Sequence, residues 1–142
     1  MTDAHLKTGW IFNRSFHYAV QAIVAITAEG EAGWVSRREI SRRIGGPTDY
    51  LAKICHDLTC KGLLCSHKGP RGGFKLAEGT EKLTIYEIVE IILGSERENE
   101  CPFCIPGCGP DNPCSVHESW MEVVRHIEAF MIENTISSLA NL

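Results

Sequence analysis

The sequence predicts a mainly α-helical fold with one short β-hairpin. Three observations indicate it: helically spaced apolar residues near both ends of the chain, three capping-box patterns, and two apolar runs around a glycine-rich turn. The 142 residues, 44% hydrophobic and 23% charged, fit one soluble domain. The longest apolar stretch, 19–28, is shorter than the roughly 20 residues that a bilayer requires. No signal-peptide cleavage site is visible, so we expect a cytoplasmic protein without a membrane span.

The N-terminal part predicts three helices. Apolar residues at helical spacing favour a first helix over 12–28. A capping-box pattern at 36–39 indicates a second helix that ends at Ile44, where two glycines follow. Pro47 suits the first turn of a third helix that ends near Lys61.

A β-hairpin is predicted directly after the third helix. Residues 63–67 and 74–76 favour strands, and the glycine-rich segment 68–73 between them must turn. A helix, a tight turn, a helix and a two-stranded wing form a winged helix-turn-helix. In that arrangement the second helix of the pair enters the major groove, and the wing reaches the flanking backbone or the minor groove.

Charge is concentrated on these same elements. Residues 36–75 contain nine basic and three acidic side chains, a net charge of +6, whereas the rest of the chain carries −10. Charge alone is equally consistent with a solvated face, but its coincidence with the helix pair and wing favours double-stranded DNA as the partner. We predict DNA contacts from seven residues: Arg37, Arg38, Thr48, Asp49, Lys53, Lys68 and Arg71.

The C-terminal part predicts two further helices. A capping box at 84–87 opens a helix that ends at Leu93, and another at 115–118 opens a long helix through about Ser137. The long helix has an apolar stripe that needs a partner, either the first helix or the same helix of a second subunit. The stripe consists of Val116, Trp120, Val123, Val124, Ile127, Phe130 and Met131. We therefore expect a homodimer through a long C-terminal dimerisation helix, with a DNA-binding domain over 12–80 and a cluster-loop and dimerisation part over 81–142 of one compact protomer.

Seven cysteines are many for a cytoplasmic chain, and their odd number argues against a disulfide framework. Cys55, Cys60 and Cys65 fall on the third helix and first strand, where we expect structural roles because free cysteines are often buried. The other four lie in a segment without apolar periodicity, with the spacing Cys101-x2-Cys104-x3-Cys108-x5-Cys114-x2-His117. This spacing fits structural zinc, an iron–sulfur cluster or unliganded redox-active thiols, and it does not separate the first two.

Several motifs resemble those of a known family. They are Phe16-His17-Tyr18-Ala19, Tyr50-Leu51, Lys61-Gly62-Leu63, the wing sequence from Lys68 to Phe74, and Cys108-x5-Cys114-x2-His117. Over about residues 14–135 the chain resembles the bacterial Rrf-type transcriptional regulators, the group that includes IscR and NsrR. The resemblance implies a homodimer that binds palindromic promoter DNA and holds an iron–sulfur cluster in the loop after the wing. It also implies that the state of the cluster changes promoter occupancy.

The resemblance further implies a ligand set. Cys101, Cys108 and Cys114 match the three cluster cysteines of the family, and His117 matches the histidine that completes a 2Fe–2S site, which we favour over 4Fe–4S. Two residues are alternatives: the extra thiol Cys104, and His17, which stands where other members place an acidic ligand from the opposite subunit. An ordinary role for His17 on the first helix is favoured over ligation.

One difference from the family limits what the resemblance implies, and two other functions are weighed against it. Ala52 stands where IscR carries an acidic base-reading residue, so the promoter sequence does not transfer, because a methyl group cannot accept a hydrogen bond from cytosine. The alternative function is a winged-helix repressor with a structural zinc site and no cluster sensing. An enzyme is disfavoured because the sequence has no glycine-rich cofactor loop and no Ser/His/Asp arrangement.

Overall fold

A computed structural model describes residues 13–29, 33–94, 101, 103 and 105–141. The predicted first position of the first helix, Phe12, lies outside them. The described part contains six helices, one antiparallel strand pair and a 3₁₀ turn at Thr80–Lys82. The helices are α1 (Arg14–Thr27), α2 (Arg37–Ile44), α3 (Thr48–Cys60), α4 (Ile85–Leu93), α5 (His117–Glu133) and α6 (Ile136–Ala140), and the strands are β1 (Leu64–His67) and β2 (Gly73–Leu76).

The helix-turn-helix is formed by α2 and α3. The Ser36 hydroxyl accepts a hydrogen bond from the Glu39 N–H and begins α2, as predicted. Gly45, at φ 79°, ends α2 in the left-handed region that glycine favours. Pro47 is the N-cap of α3 rather than a residue of its first turn, which corrects the expected boundary by one position.

The wing is an antiparallel hairpin, in agreement with the sequence. Leu64 pairs with Leu76, and His67 pairs with Gly73. On the other side of β2, two backbone hydrogen bonds of 2.8 Å join Val35 to Phe74 and add a short third segment to the sheet. This segment, which connects α1 to α2, therefore ties the wing to the helices.

The principal core lies between α1, α2, α3, the hairpin, α4 and α6. Its fully buried side chains include Ile23, Ile40, Leu51, Ile88 and Ile136. A smaller cluster joins Phe16 of α1, Val89 of α4 and Met131 of α5. Residues on both sides of position 80 thus share one core, and the division of the chain at that position stays a prediction.

The C-terminal helix differs from its prediction at both ends. It begins at His117 with Val116 as an N-cap that makes no side-chain bond, so the expected capping box at 115–118 is wrong. It ends at Glu133 rather than near Ser137, and a separate short helix, α6, follows. The expected single long helix is therefore two helices.

The break between α5 and α6 has a local cause. Asn134 is extended, and its side-chain amide donates a 2.7 Å hydrogen bond to the Phe130 carbonyl. Backbone bonds join Asn134 O to the Ile85 N–H and Leu83 O to the Ile136 N–H. These bonds turn the chain back onto the start of α4 and bury Ile136, which a continuous helix would not do.

Within the described residues, no helix has both the length and the apolar character needed to cross a membrane.

Candidate functional site

The seven residues predicted to contact DNA all lie on the helix pair or the wing. Arg37 and Arg38 are exposed in the first turn of α2, and Asp49 and Lys53 are exposed on α3. Thr48, the first residue of α3, is half-buried. Two further cations, Lys68 and Arg71, are exposed in the turn between β1 and β2.

Thr48 also contributes to the turn. Its hydroxyl donates a 3.0 Å hydrogen bond to the Ser41 hydroxyl, which in turn donates to the Gly46 carbonyl. Gly46 packs tightly here, because a Cβ at this position would lie 3.0 Å from the Tyr18 ring and 3.1 Å from Leu51. The start of α3 is thereby fixed against α2.

Ion pairs divide the basic residues into two groups. Arg42 and Arg43 both bind the Glu39 carboxylate, and Arg43 also pairs with Glu29. Hydrogen bonds from Arg42 and then Arg43 lower the pKa of Glu39 to about 2. The ion pairs found among the described residues involve none of the five cations predicted to contact DNA: Arg37, Arg38, Lys53, Lys68 and Arg71. Those five charges are therefore available to phosphate.

In the cysteine segment, residues 101–117, local hydrogen bonds form a tight turn. Gly109 and Asn112 exchange two N–H to carbonyl bonds of 3.1 Å. The Asn112 side-chain amide donates to the Gly107 carbonyl at 3.2 Å, and the Cys108 N–H donates to Ile105 O. These bonds place Cys108 and Cys114 on opposite sides of one tight turn.

Three predicted ligands meet at the start of α5. The Cys108 Sγ lies 3.4 Å from the His117 Nδ1 and accepts a 3.3 Å hydrogen bond from the Cys114 N–H. The Val116 N–H, followed by the Cys108 thiol, lowers the pKa of Cys114. A thiol whose anion is stabilised in this way is a good soft-metal ligand, so the donor chemistry fits a metal or an iron–sulfur cluster.

The other candidate ligands are Cys101, Cys104 and His17. Cys101 is half-buried, and Cys104 lies outside the described residues. His17 is exposed on α1, and its Nε2 lies 2.9 Å from the Gln21 amide nitrogen. Among the described residues, no group of three or more His, Cys, Asp or Glu side chains is arranged to hold a metal ion. The ligand set therefore stays a prediction.

An aromatic contact next to this site was not predicted. Phe103, on the cysteine segment, meets Trp120 of α5 edge to face, with ring centroids 6.0 Å apart and planes at 81°. Trp120 lies one turn beyond His117, so the contact attaches the cysteine segment to the helix that carries the histidine. The sequence does contain a signal for this contact, a phenylalanine between Cys101 and Cys108. Apolar periodicity placed Trp120 only in the stripe of the long helix, so the contact between the two rings was missed.

The other cysteines differ in exposure. Cys55 is buried in the principal core, as expected, and burial raises the pKa of its thiol to about 12. Cys60 and Cys65 are exposed, contrary to the expectation from residue type.

The apolar stripe of α5 is only partly covered within the chain. Val124 and Met131 are buried, whereas Val116, Val123 and Phe130 are exposed by 44%, 46% and 57%. Of these exposed residues, Val123 and Phe130 border an apolar groove of about 410 Å³ between α1, α4 and α5. The groove is lined by Phe16, Ile85, Val123, His126, Ile127, Phe130 and Met131.

A helix-turn-helix, a wing and a following long helix define the class of winged-helix transcriptional regulators. Comparison with known proteins gives the family. The Rrf2 family model, described as an iron-dependent transcriptional regulator, matches residues 12–142. The chain therefore belongs to the Rrf2 family, and it is a transcriptional regulator rather than an enzyme.

Two relatives illustrate the similarity in sequence. A protein of Aquifex aeolicus, named among the HTH-type transcriptional regulators, is 36% identical over 134 residues, which are 93% of this chain and 92% of that protein. The HTH-type transcriptional regulator IscR of Escherichia coli is 28% identical over 87% of this chain and 76% of its own length.

Two solved structures have the same fold. CymR, the global cysteine regulator of B. subtilis, superimposes with a TM-score of 0.74 at 18% identity, covering 92% of this chain and 95% of CymR. The IscR of T. potens superimposes with a TM-score of 0.68 at 24% identity, covering 92% of this chain and 85% of IscR. At these identities the structures support the mainly α, winged helix-turn-helix fold predicted from the sequence.

Proposed function

We propose that this regulator binds palindromic promoter DNA as a homodimer and that an iron–sulfur cluster in the 101–117 segment controls the binding. The observation that carries the proposal is the meeting of Cys108, Cys114 and His117 at the start of α5. Similarity to IscR and the iron-dependent description of the family support the same assignment. Cys101 completes the proposed set, and Cys104 and His17 are its alternatives.

We propose a 2Fe–2S cluster rather than 4Fe–4S because His117 matches the histidine that completes a 2Fe–2S site in IscR-like regulators. When bound, such a cluster supplies a redox-active and chemically labile centre. Cys114 would contribute a thiolate, because the Val116 N–H lowers the pKa of its thiol, and the Cys114 N–H donates to the Cys108 sulfur. His117 would contribute a neutral ligand that is more easily displaced than a thiolate, which suits a sensor.

The fold offers a route from this site to DNA. His117 is the first residue of α5, and α5 packs through Met131 onto Phe16 of α1. The same α1 helix packs against α2 and α3, the helix pair that is proposed to contact DNA. A change in the position of α5 would therefore alter the placement of the two winged domains of a dimer.

The experiment for the cluster begins with anaerobic purification. Brown protein that contains iron and sulfide is expected, whereas colourless protein with one zinc per chain would instead support the winged-helix repressor with structural zinc. Single substitutions to Ser at Cys101, Cys108 and Cys114 should abolish the visible absorption, and Cys104→Ser and His17→Gln should retain it.

The control for these variants is Cys60→Ser, because Cys60 is an exposed thiol outside the cysteine segment. It should leave the iron and sulfide content unchanged. Loss of the cluster in Cys104→Ser with retention in Cys101→Ser would contradict the ligand set. An unchanged spectrum in His117→Ala, with a sensitive His17→Gln, would move the fourth ligand to α1 of the partner.

DNA binding is tested through the wing. The variant with both Lys68→Ala and Arg71→Ala should bind all duplexes more weakly and with a reduced salt dependence, by about 0.9 per lost phosphate contact in the slope of log K against log salt. Changes at Thr48 or Lys53 on α3 should alter sequence preference instead. Lys82→Ala, an exposed charge on the 3₁₀ turn, is the control. Parental affinity in the double variant at physiological salt would contradict the assignment.

The dimer is proposed through α5, because its exposed apolar residues border the groove between α1, α4 and α5. A two-fold dimer matches a palindromic site with one winged domain in each half-site. Binding to chromosomal promoters also implies a cytoplasmic location.

A further inference from the structure

An exposed aromatic pair lies on the wing. Trp34, which is 41% exposed, and His67, the last residue of β1, have ring centroids 5.4 Å apart and planes inclined by only 32°. Neither residue belongs to the predicted DNA contacts or to the cysteine segment. His67 is exposed as well, so the contact joins two surface side chains.

Strand pairing places both rings on the outer face of the sheet. Val35 pairs with Phe74 and is buried, so the adjacent Trp34 projects from the opposite face. Leu64 of β1 is buried, and His67, three residues later, shares the other face with Cys65, which is exposed.

Gly73 makes the contact possible. It lies directly opposite His67 in the hairpin, between β1 and the segment that carries Trp34. A Cβ on Gly73 would lie 2.2 Å from the Val35 carbonyl oxygen, so only glycine fits this position. The absence of a side chain lets the segment with Trp34 and Val35 approach β2 closely, and this brings the indole near the imidazole.

The pair stands at the base of the basic wing turn. His67 directly precedes Lys68, and the turn that follows carries Arg71. On the same outer face, β2 presents Lys75, the partner of Cys65. An imidazole N–H on the same wing as these three cations can donate to an anionic oxygen. Because the wing turn is already proposed to follow the DNA backbone, the expected anion is a phosphate of that backbone.

We propose that His67 donates a hydrogen bond to a phosphate of the DNA backbone and that Trp34 positions its ring for this bond. The inference rests on the proposed DNA binding and adds two residues to it. His67 contacts the DNA, whereas Trp34 acts through His67 and fixes one orientation of the imidazole before binding. Contacts of this kind position the protein on the duplex and carry no sequence information.

The test is a double-mutant cycle on DNA affinity with the full-length dimer and one operator duplex. His67→Leu, which removes the donor, should weaken binding about ten-fold, the loss of one hydrogen bond to a charged group, and to the same extent on unrelated duplexes. Trp34→Leu should weaken it similarly, and the double variant should bind no more weakly than His67→Leu alone. Ser66→Ala, a neighbouring exposed position on β1, should bind as the parent does. Circular dichroism melting verifies that each variant is folded.

Three results would overturn the inference. These are parental affinity in a folded His67→Leu protein, additive losses in the double variant, and a loss confined to one DNA sequence. The Lys68→Ala, Arg71→Ala variant separates this failure from that of the proposed function. If that variant loses affinity while His67→Leu does not, DNA binding through the wing stands and only the His67 contact is wrong.

Discussion

At the scale of single residues, Cys55 and Cys60 lie on the same helix, but only Cys60 is exposed. Burial raises the pKa of the Cys55 thiol to about 12. Alkylating reagents react with the thiolate, which is the nucleophilic form. In the folded protein at pH 8, iodoacetamide should therefore modify Cys60 and Cys65 rapidly and leave Cys55 unmodified. Peptide mass spectrometry measures this order. In guanidinium all three should react at similar rates, and rapid modification of Cys55 before unfolding would contradict its burial.

The contact between Phe103 and Trp120 is the second prediction at this scale. Phe103→Ala removes the edge-to-face contact that attaches the cysteine segment to α5, a contact of about 0.5–1.5 kcal/mol beyond area burial. The tryptophan emission should shift to longer wavelength, and bound iron should be lost to a chelator faster than from the parent.

The control is Ile105→Ala, two residues further along the same segment and exposed by 48%. It shortens an apolar side chain of the segment without touching the Trp120 contact. Equal iron loss from both variants would assign the effect to the segment as a whole rather than to this pair of rings.

At the scale of elements, Glu39 joins α2 to the end of α1 through Arg43 and Glu29. Its folded pKa, about 2, lies below the ordinary 4.5, so its stabilising effect is complete above pH 4.5 and is lost as the pH falls towards 2. Glu39→Gln should therefore lower the melting temperature at pH 7, and the difference from the parent should shrink between pH 4.5 and 2. The effect should also fall with added salt, because the carboxylate is at the surface.

A matched control is Asp57→Asn, which breaks one i,i+4 ion pair, with Lys61, at the end of α3. This pair does not join two helices, and exposed pairs of this type contribute little. The melting temperature should therefore change less than in Glu39→Gln. A difference between parent and Glu39→Gln that stays constant down to pH 2 would contradict the role of the carboxylate.

Ile136 gives α6 its position. The side chain is 1% exposed and belongs to the principal core, so Ile136→Ala should lower the free energy of unfolding by about 2–5 kcal/mol. Urea unfolding followed by circular dichroism measures the change. The same truncation at the exposed Ile105 should lower the free energy of unfolding much less. Equal decreases at both positions would show that Ile136 does not pack in the core.

The elements themselves show what a sequence can predict. The N-terminal helices and the hairpin agree with the prediction because caps, glycines and apolar spacing act locally. The end of α5 could not be predicted in this way. Residues 134–136 leave the helix to pair with residues 83–85, and this long-range pairing overrides the local helical periodicity.

At the scale of the whole molecule, the candidate site was predictable where its residues are close in sequence. The three-residue separation of Cys114 and His117 places both at the start of one helix, and Cys108 meets them across a tight turn. The anchoring of the segment by Phe103 depends on a contact with α5, and the contact of Trp34 with His67 depends on the close approach of Val35 to Gly73. Such contacts join residues that are distant in sequence, so local sequence patterns do not predict them.

The apolar surface of α5 leads to the last prediction, on the oligomeric state. Val123 and Phe130 are seven residues apart, two turns on one face of the helix, and both border the apolar groove. A second copy can cover this surface, so the parent should sediment as a dimer at micromolar concentration. Phe130→Glu places a carboxylate in that interface without a partner and should yield a folded monomer. Its affinity for a palindromic duplex should fall towards that for a half-site, because the two winged domains no longer bind as one unit.

The control for this variant is Arg125→Gln, an exposed residue on nearly the opposite face of α5, which should remain dimeric. Analytical ultracentrifugation of protein with and without bound iron gives the association state directly. A monomeric parent in both forms would contradict the proposed interface, as would a Phe130→Glu variant as strongly associated as the parent. A Phe130→Glu monomer that still binds the palindrome as tightly as the parent would separate dimerisation from DNA binding. Single winged domains would then be enough for operator recognition, and α5 could not transmit the state of the cysteine segment through the spacing of two half-sites.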